Sequence, residues 1–174
     1  GRTFIDVWSD WEKTIKKPKD YAVFQKELKG KKILAVRRRA KNVLFELSDD
    51  YTLLIHQKMT GHLMVGAWTV DGSTWTPVEK GPFEEKINLF IHFMLTLDND
   101  QMIALSDYRK FAKVELWKTS ELLASPEFKN LGPEPLEKSF TFTLCKERLA
   151  KRRGRIKQVI MDPTVIAGIG NIYA

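Results

Sequence analysis

The feature that most restricts the fold of this chain is a series of short apolar segments in its first two thirds, each bounded by turn-forming residues. These segments have the length and the branched-residue content of β-strands. The predicted strands cover residues 2–9, 32–36, 43–47, 52–56, 89–97, 102–105 and 114–117. Residues 48–50 and 98–100 predict hairpin turns between neighbouring strands. Evenly spaced short strands of this kind predict a β-sandwich or barrel.

Helical spacing is found in one early segment and again after about residue 118. Residues 21–28 predict a short amphipathic helix, and the later helical segments cover 120–123, 141–151 and 155–161. The proline-rich segment around Pro133 and Pro135 predicts a rigid linker, and Asp162-Pro163 ends the last of these helices. A glycine turn at 167–171 predicts the opening of a third helix. The sequence therefore predicts an α+β chain with domains at 1–117 and 137–174, joined by a linker at 118–136.

Composition excludes several classes of protein. The single cysteine, Cys145, rules out an internal disulfide and a cysteine-rich zinc site within residues 1–174, and it favours a reducing, cytoplasmic setting. No apolar run reaches the roughly 18 residues that a membrane helix needs, so a membrane partner is not expected. Asp6 and Asp10 interrupt the start where a signal peptide would be apolar.

The positive charge of the chain is concentrated in two short segments. Residues 29–41 contain seven Lys and Arg without an acid, and residues 146–157 contain seven with one acid, within a chain of net charge +7. The remainder of the chain is therefore acidic. Such segregation favours a polyanionic partner, although a single basic run is more often a solvated surface.

The glycine turn lies directly after the second basic segment. Gly168 and Gly170 allow a close approach of the backbone to a ligand, and Asn171 adds a side-chain donor. Alone, this pattern is more often a structural turn than a binding site. Together with the preceding basic segment it predicts a helical module that holds a DNA backbone.

Five segments of the chain, in order, resemble motifs of the formamidopyrimidine-DNA glycosylase family. They are RRRAKNVLFEL at 37–47, IHQKMTG at 55–61, SDYRKFA at 106–112, LGPEPL at 131–136 and IKQVIMDPTVIAGIGNIYA at 156–174. The resemblance covers nearly the whole chain. It implies an N-terminal β-sandwich flanked by short helices, followed by an incomplete helix-two-turn-helix domain. Endonuclease VIII shares this fold, but RRRAK, KMTG and LGPEP are more similar to the formamidopyrimidine branch.

The resemblance also implies roles for individual residues. Lys41 is similar to a lysine that family members place in the active-site cleft, where it contacts DNA and assists proton transfer. Met59, Arg109 and Phe111 are similar to the three residues that family members insert into the duplex once the damaged base is extruded. Packing in the core is the competing interpretation for Met59 and Phe111, but both lie next to turn formers, which favours exposed loop tips.

Further residues resemble the family's phosphate contacts. Arg152 and Asn171 match residues that bind the phosphates flanking the lesion, and Arg153, Arg155 and Lys157 are weaker candidates. His92 matches the second histidine of a His-x-His pair, but Phe90 stands at the first. A structural role on the face of its strand is therefore an alternative to DNA binding for His92.

Two further observations concern a pair of histidines and an alanine. His56 and His62 do not have the spacing of a metal set. Ala112 stands where the family usually has glycine, and nothing in the sequence explains that change.

Parts of the family pattern are not found in this sequence. The family's nucleophile is the amine of an N-terminal proline followed by glutamate, which suits Schiff-base chemistry. This chain starts at Gly1-Arg2, which is similar to a position beyond the family's first helix. We therefore expect this chain to be a fragment that is inactive by itself. We expect no cofactor in it, and one zinc ion in a C-terminal four-cysteine finger of the complete protein.

The resemblance implies base-excision repair of double-stranded damaged DNA by a monomer. The expected activity of the complete protein is that of a bifunctional DNA glycosylase and AP lyase that removes oxidised purines, namely 8-oxoguanine and formamidopyrimidines. Three alternatives stay open at this point. They are a non-catalytic DNA-binding protein, an endonuclease VIII-type glycosylase for oxidised pyrimidines, and an RNA- or ribosome-associated basic protein. The last of these has no need of residues that insert into a duplex.

Overall fold

A computed structural model describes residues 1–72, 74–172 and 174 of the chain. The chain divides into two compact units, Gly1–Arg37 with Val43–Thr119, and Arg38–Asn42 with Ser120–Ala174. The α+β prediction, with an N-terminal sandwich followed by helices, is confirmed. The domain limits 1–117, 118–136 and 137–174 stay a prediction.

Eleven strands are found in the described part of the chain. They are β1 (Phe4–Ser9), β2 (Ile15–Lys17), β3 (Ile33–Arg39), β4 (Asn42–Leu47), β5 (Tyr51–His56), β6 (His62–Gly66), β7 (Trp68–Asp71), β8 (Thr74–Pro77), β9 (Ile91–Leu97), β10 (Met102–Ser106) and β11 (Lys113–Lys118). One sheet has the order β1-β9-β10-β6, and the other has the order β2-β11-β5-β4-β3. Strand β2 pairs with β11 in parallel, whereas β1-β9, β9-β10, β10-β6 and β5-β11 are antiparallel.

The main core contains apolar side chains from both sheets. Phe4 of β1 meets Phe45 of β4 edge to face, with ring centroids 6.3 Å apart. Helix α1 (Tyr21–Leu28) adds Phe24, which packs on Phe93 at 6.0 Å, and the fully buried Leu28. The helix starts where predicted, because the Asp20 carboxylate accepts the Val23 N–H at 3.0 Å as an N-cap.

The four-stranded sheet is covered on its other face as well. The hairpin β7–β8 contributes Trp68 to a second cluster that contains Met64, Met94 and Ala104 from β6, β9 and β10. Strand β9 is consequently buried on both faces over most of its length. This explains why the three consecutive residues 93–95 of this strand are all apolar, without alternation.

The second unit contains the later helices. They are α2 (Thr119–Ala124), α3 (Pro126–Lys129), α4 (Phe142–Ala150) and α5 (Ile156–Met161). Side chains of Ser125 and Thr141 cap α3 and α4 by accepting the N–H groups of Phe128 and Leu144. The most deeply buried segment of this unit is 165–167, in the turn that follows α5.

The structure differs from the sequence-based prediction in specific elements. Strands β2, β6, β7 and β8 and helix α3 were not predicted individually, and Leu89 lies in a short 3₁₀ helix, not in a strand. Residues 167–172 form turns and a short irregular stretch, as the predicted glycine turn requires, and the third helix expected after it falls on Tyr173, which lies outside the described residues. Backbone groups of this segment bond elsewhere: the Ala167 N–H donates to the Pro133 carbonyl at 3.0 Å, and the Asn171 carbonyl accepts from Lys157 Nζ at 3.4 Å.

No helix in the described parts of the chain combines the length and apolar character needed to cross a membrane. Within the same residues, His, Cys, Asp and Glu side chains form no group of three or more that could hold a metal ion.

Candidate nucleic-acid interface

The three residues predicted to insert into the duplex, Met59, Arg109 and Phe111, are called the wedge residues. They lie together on the surface of the first unit. Met59 is in the loop between β5 and β6, and Arg109 and Phe111 are in the loop between β10 and β11. Arg109 Nη1 lies 3.3 Å from Met59 Sδ, and its guanidinium carbon lies 4.6 Å from the centroid of the Phe111 ring. Met59 is 73% exposed and Phe111 is 51% exposed. Neither side chain belongs to the core, so the packing interpretation of these two residues is wrong.

Asp107 holds the two loops that carry the wedge residues, which are called the wedge loops. The sequence analysis did not identify this residue. Its buried carboxylate accepts the N–H groups of Phe111 and Ala112 at 2.7 Å each, and that of Arg109 at 3.3 Å. The same carboxylate accepts the hydroxyl of Thr60, which is the neighbour of Met59. An aspartate directly before a turn is the sequence signal that could have identified this role.

The hydrogen bonds to Asp107 also control its protonation. Burial raises the pKa of this carboxyl group. The hydrogen bonds from the Thr60 hydroxyl and from the N–H groups of Ala112, Phe111 and Arg109 outweigh burial, and the pKa lies below its usual range. Asp107 is therefore ionised at neutral pH, and its carboxylate accepts hydrogen bonds from donors in both of the loops that it joins.

Gly61 permits the tight turn that presents Met59. Its N–H donates to the Gln57 carbonyl at 3.1 Å. A Cβ at this position would lie 2.4 Å from the same carbonyl oxygen, which is much closer than atoms can approach. The loop conformation therefore requires glycine here, as IHQKMTG provides.

His92 is turned towards an acid and not towards a free surface. Its Nδ1 lies 2.9 and 3.0 Å from the two carboxylate oxygens of Asp10. A carboxylate next to the ring disfavours an approaching phosphate by like-charge repulsion. This geometry supports the strand-face interpretation of His92.

Most cations of the first basic segment are paired with acids of the same protein. The ion pairs are Lys29–Asp6 at 2.6 Å, Lys31–Asp49 at 3.1 Å, Arg37–Glu46 at 2.7 Å, Arg38–Glu134 at 2.8 Å and Arg39–Glu134 at 2.8 Å. Five of the seven cations in 29–41 are therefore partly neutralised within the protein. The charge pattern of the sequence did not reveal these partner acids.

Glu134 is the buried acid that organises the second unit. Its Oε1 accepts the Ala40 N–H at 2.6 Å and Arg39 Nη1 at 2.8 Å. Arg38 Nη2 lies 2.8 Å from Oε2, as an ion pair that is not aligned as a hydrogen bond. Burial raises the pKa of Glu134, but the hydrogen bonds from Ala40 and Arg39 and the charges of Arg38 and Arg39 hold it below its usual range.

This network places Lys41 against the glycine turn. Gly168 has φ +85°, and a Cβ on it would lie 3.3 Å from Arg38 Nη1 and 3.5 Å from the Ala40 carbonyl oxygen. A Cβ on Gly170 would lie 3.4 Å from Lys41 Nζ. The exposed Lys41 thus lies next to the segment that carries the exposed Asn171, although the two are 130 positions apart in the chain.

All seven cations of the second basic segment are exposed. Arg152 Nη2 donates to the Thr164 hydroxyl at 3.1 Å, and its Nη1 lies 4.0 Å from Asp162. The side chain of Arg152 is still 46% exposed, and Arg153, Arg155 and Lys157 are exposed as well. This segment retains the accessible positive charge that a polyanion requires.

Comparison with known proteins identifies both units. The family model described as "Formamidopyrimidine-DNA glycosylase N-terminal domain" matches residues 1–114, and the one described as "Formamidopyrimidine-DNA glycosylase H2TH domain" matches 131–174. A formamidopyrimidine-DNA glycosylase of Pelotomaculum thermopropionicum is 36% identical over 162 residues, which are 93% of this chain and 53% of that protein. One of Chloroflexus aurantiacus is 37% identical over 176 residues, which cover 100% of this chain and 56% of that protein.

Solved structures give the same result. Lactococcus lactis Fpg (MutM) in complex with FAPY-dG-containing DNA superposes with a TM-score of 0.79 at 30% identity, over 99% of this chain and 58% of that one. MutM in complex with DNA containing carbocyclic 8-oxo-G gives a TM-score of 0.79 at 30% identity. The chain spans a little more than half the length of the relatives that it matches.

Proposed function

The chain belongs to the formamidopyrimidine-DNA glycosylase family, and on this basis we propose that the protein removes oxidised purines from double-stranded DNA as a glycosylase and AP lyase. The observation that carries the proposal is the exposed set of Met59, Arg109 and Phe111, which two loops hold together through Asp107. An enzyme that acts on a base must extrude it and fill the gap. Exposed apolar side chains at rigid loop tips suit this task, and Arg109 can donate hydrogen bonds to the orphaned partner base.

Lys41, Arg152 and Asn171 are proposed to act on the DNA backbone near the lesion. The position of Lys41 against Gly170 supports a shared role with Asn171, because one phosphate could accept hydrogen bonds from both side chains. Lys41 is further proposed to assist proton transfer. Arg153, Arg155 and Lys157 are secondary candidates for phosphate contacts, and His92 is the weakest candidate because it faces Asp10.

The test is excision by the full-length protein from duplexes that contain either 8-oxoguanine or an oxidised pyrimidine. Faster excision of 8-oxoguanine supports the proposal. Preference for the oxidised pyrimidine would favour the endonuclease VIII-type alternative. Binding to both duplexes without excision would favour a non-catalytic DNA-binding protein.

Arg152→Ala is predicted to weaken binding to damaged and undamaged duplex by similar factors. A phosphate contact carries no sequence or lesion information, and each neutralised phosphate contributes about 0.9 to the slope of log affinity against log salt. Fluorescence anisotropy at several salt concentrations measures this slope, which should fall by about 0.9 in the variant. Lys80→Ala, which removes an exposed cation from a loop of the first unit, is the control and should leave the slope unchanged. A loss of affinity confined to damaged DNA would contradict the phosphate role.

The expected inactivity of residues 1–174 alone stays a prediction. Borohydride trapping with an oligonucleotide that contains an abasic site tests it, and a covalent adduct on a polypeptide of residues 1–174 would contradict it. The zinc finger, the monomeric state and the cytoplasmic location also stay predictions.

A further inference from the structure

An aromatic pair stands next to the wedge residues in the same unit. The ring centroids of Phe90 and Tyr108 lie 4.9 Å apart with an interplanar angle of 70°, which is an edge-to-face contact. Phe90 is half-buried, whereas Tyr108 is 66% exposed. One ring therefore supports the other, and the supported ring presents a large apolar surface to solvent.

The backbone around Tyr108 is held on both sides. The Asp107 N–H donates to the Phe90 carbonyl at 2.8 Å, and the Lys110 N–H donates to the Asp107 carbonyl at 3.0 Å. Tyr108 thus lies at the corner of a turn whose first residue is also the acid that joins the two wedge loops. A ring held in this way loses little conformational entropy when it binds a ligand.

Cations alternate with aromatic rings in this part of the surface. Arg109 and Lys110 follow Tyr108 directly, and Lys110 Nζ lies 4.8 Å from the centroid of the Trp11 ring. Lys13 Nζ lies 5.1 Å from the same ring. Exposed rings interleaved with positive charge are typical of surfaces that bind unpaired nucleic acid, where bases stack on the rings and the cations meet the phosphates.

We propose that Tyr108, supported by Phe90, is a stacking site for an unpaired nucleobase next to the gap that the wedge fills. The inference rests on the proposed function, because extrusion of a base is what leaves a neighbouring base without its stacking partner. Stacking uses the π-face that every base has, so the site tolerates any base sequence. Phe90 is a positioning residue in this account, since its contact is with the Tyr108 ring.

Photocrosslinking of the full-length protein tests the site. Two duplexes carry a stable abasic-site analogue, and 5-iodouracil is placed opposite the analogue in one and at the adjacent position of the same strand in the other. A crosslink mapped to Tyr108 by mass spectrometry is expected in at least one duplex and should be much weaker without the abasic analogue. Phe90→Leu keeps an apolar side chain but removes the aromatic ring that contacts Tyr108. This variant should therefore reduce the yield of the Tyr108 crosslink.

Affinity measurements supply the second readout. Tyr108→Ala should weaken binding to the abasic duplex about tenfold, as expected for the loss of one stacked base, and change binding to intact duplex less than twofold. Tyr108→Phe should behave as the unmutated protein, because only the hydroxyl is lost. Leu34→Ala is the control, since Leu34 is a 63% exposed apolar side chain on β3 of the same sandwich.

The outcomes separate this inference from the proposed function. Absence of a Tyr108 crosslink in both duplexes, or a Tyr108→Ala affinity equal to that of Leu34→Ala, overturns the stacking site while leaving the wedge in place. If the unmutated protein does not distinguish abasic from intact duplex, both the proposed function and the stacking site are overturned.

Discussion

Phe111→Ala is expected to slow excision of 8-oxoguanine by the full-length protein about 100-fold, with little change in its affinity for undamaged duplex. Base extrusion costs a few kcal/mol, and a lost filler leaves part of this cost uncompensated, which lowers the rate by about tenfold for each 1.4 kcal/mol. Single-turnover excision measures the chemical step, and binding to intact duplex is measured in parallel. The Phe111 ring is half exposed and contacts the Arg109 guanidinium, so its removal opens no cavity in the core.

Thermal denaturation provides the control for the Phe111 result. The midpoint of Phe111→Ala should lie within a few degrees of that of the unmutated protein. Phe93→Ala is the reference for a core change, because Phe93 is fully buried and its truncation should cost about 3–5 kcal/mol. Phe111→Leu should recover much of the excision rate, since leucine still fills space. If the denaturation midpoint of Phe111→Ala were as low as that of Phe93→Ala, the loss of excision would be due to unfolding, and the role of Phe111 as a wedge residue would be contradicted.

Asp107→Asn is expected to lower the free energy of unfolding by about 3 kcal/mol and to abolish the preference for damaged DNA. The carboxylate accepts N–H groups of Phe111 and Ala112 on one oxygen, and the Thr60 hydroxyl and Arg109 N–H on the other. An amide can offer only one oxygen, and a buried donor without a partner costs about 1–3 kcal/mol. Both wedge loops would lose their shared anchor.

Denaturant unfolding of the variant and the unmutated protein measures this difference. Asp100→Asn is the matched control, because it makes the same chemical change at an exposed residue of the β9–β10 hairpin and should alter stability by less than about 0.5 kcal/mol. A stable Asp107→Asn protein that keeps its lesion preference would show that the two loops are held by other contacts.

The stabilisation by Asp107 should depend on pH with a defined sign. The pKa of this carboxyl group is lower in the folded protein than its ordinary value, which is about 3.9, so folding favours the ionised form. Its contribution is therefore complete well above pH 4 and is lost as the pH falls through the folded pKa. The stability difference between the unmutated protein and Asp107→Asn should shrink below about pH 4. A difference that grows on acidification would refute the assignment.

The sequence alone predicted the features that depend on neighbours in the chain. Helix α1 has the predicted limits Tyr21–Leu28, because an N-cap aspartate and the apolar spacing both lie within nine residues. The turn formers beside Met59 and Phe111 placed these residues at exposed loop tips for the same local reason. The resemblance of five ordered motifs identified the family.

Contacts between distant parts of the chain decided the rest. The sequence shows a basic run at 29–41, but only folding brings Glu134 within 2.8 Å of Arg39, which lies 95 positions earlier, and so pairs part of that charge with an acid. The link between Thr60 and Asp107 spans 47 positions, and the contact between His92 and Asp10 spans 82. Periodicity and composition describe only the near neighbourhood of a residue. The partner that neutralises a charge or anchors a loop is chosen by packing, and therefore by the tertiary structure.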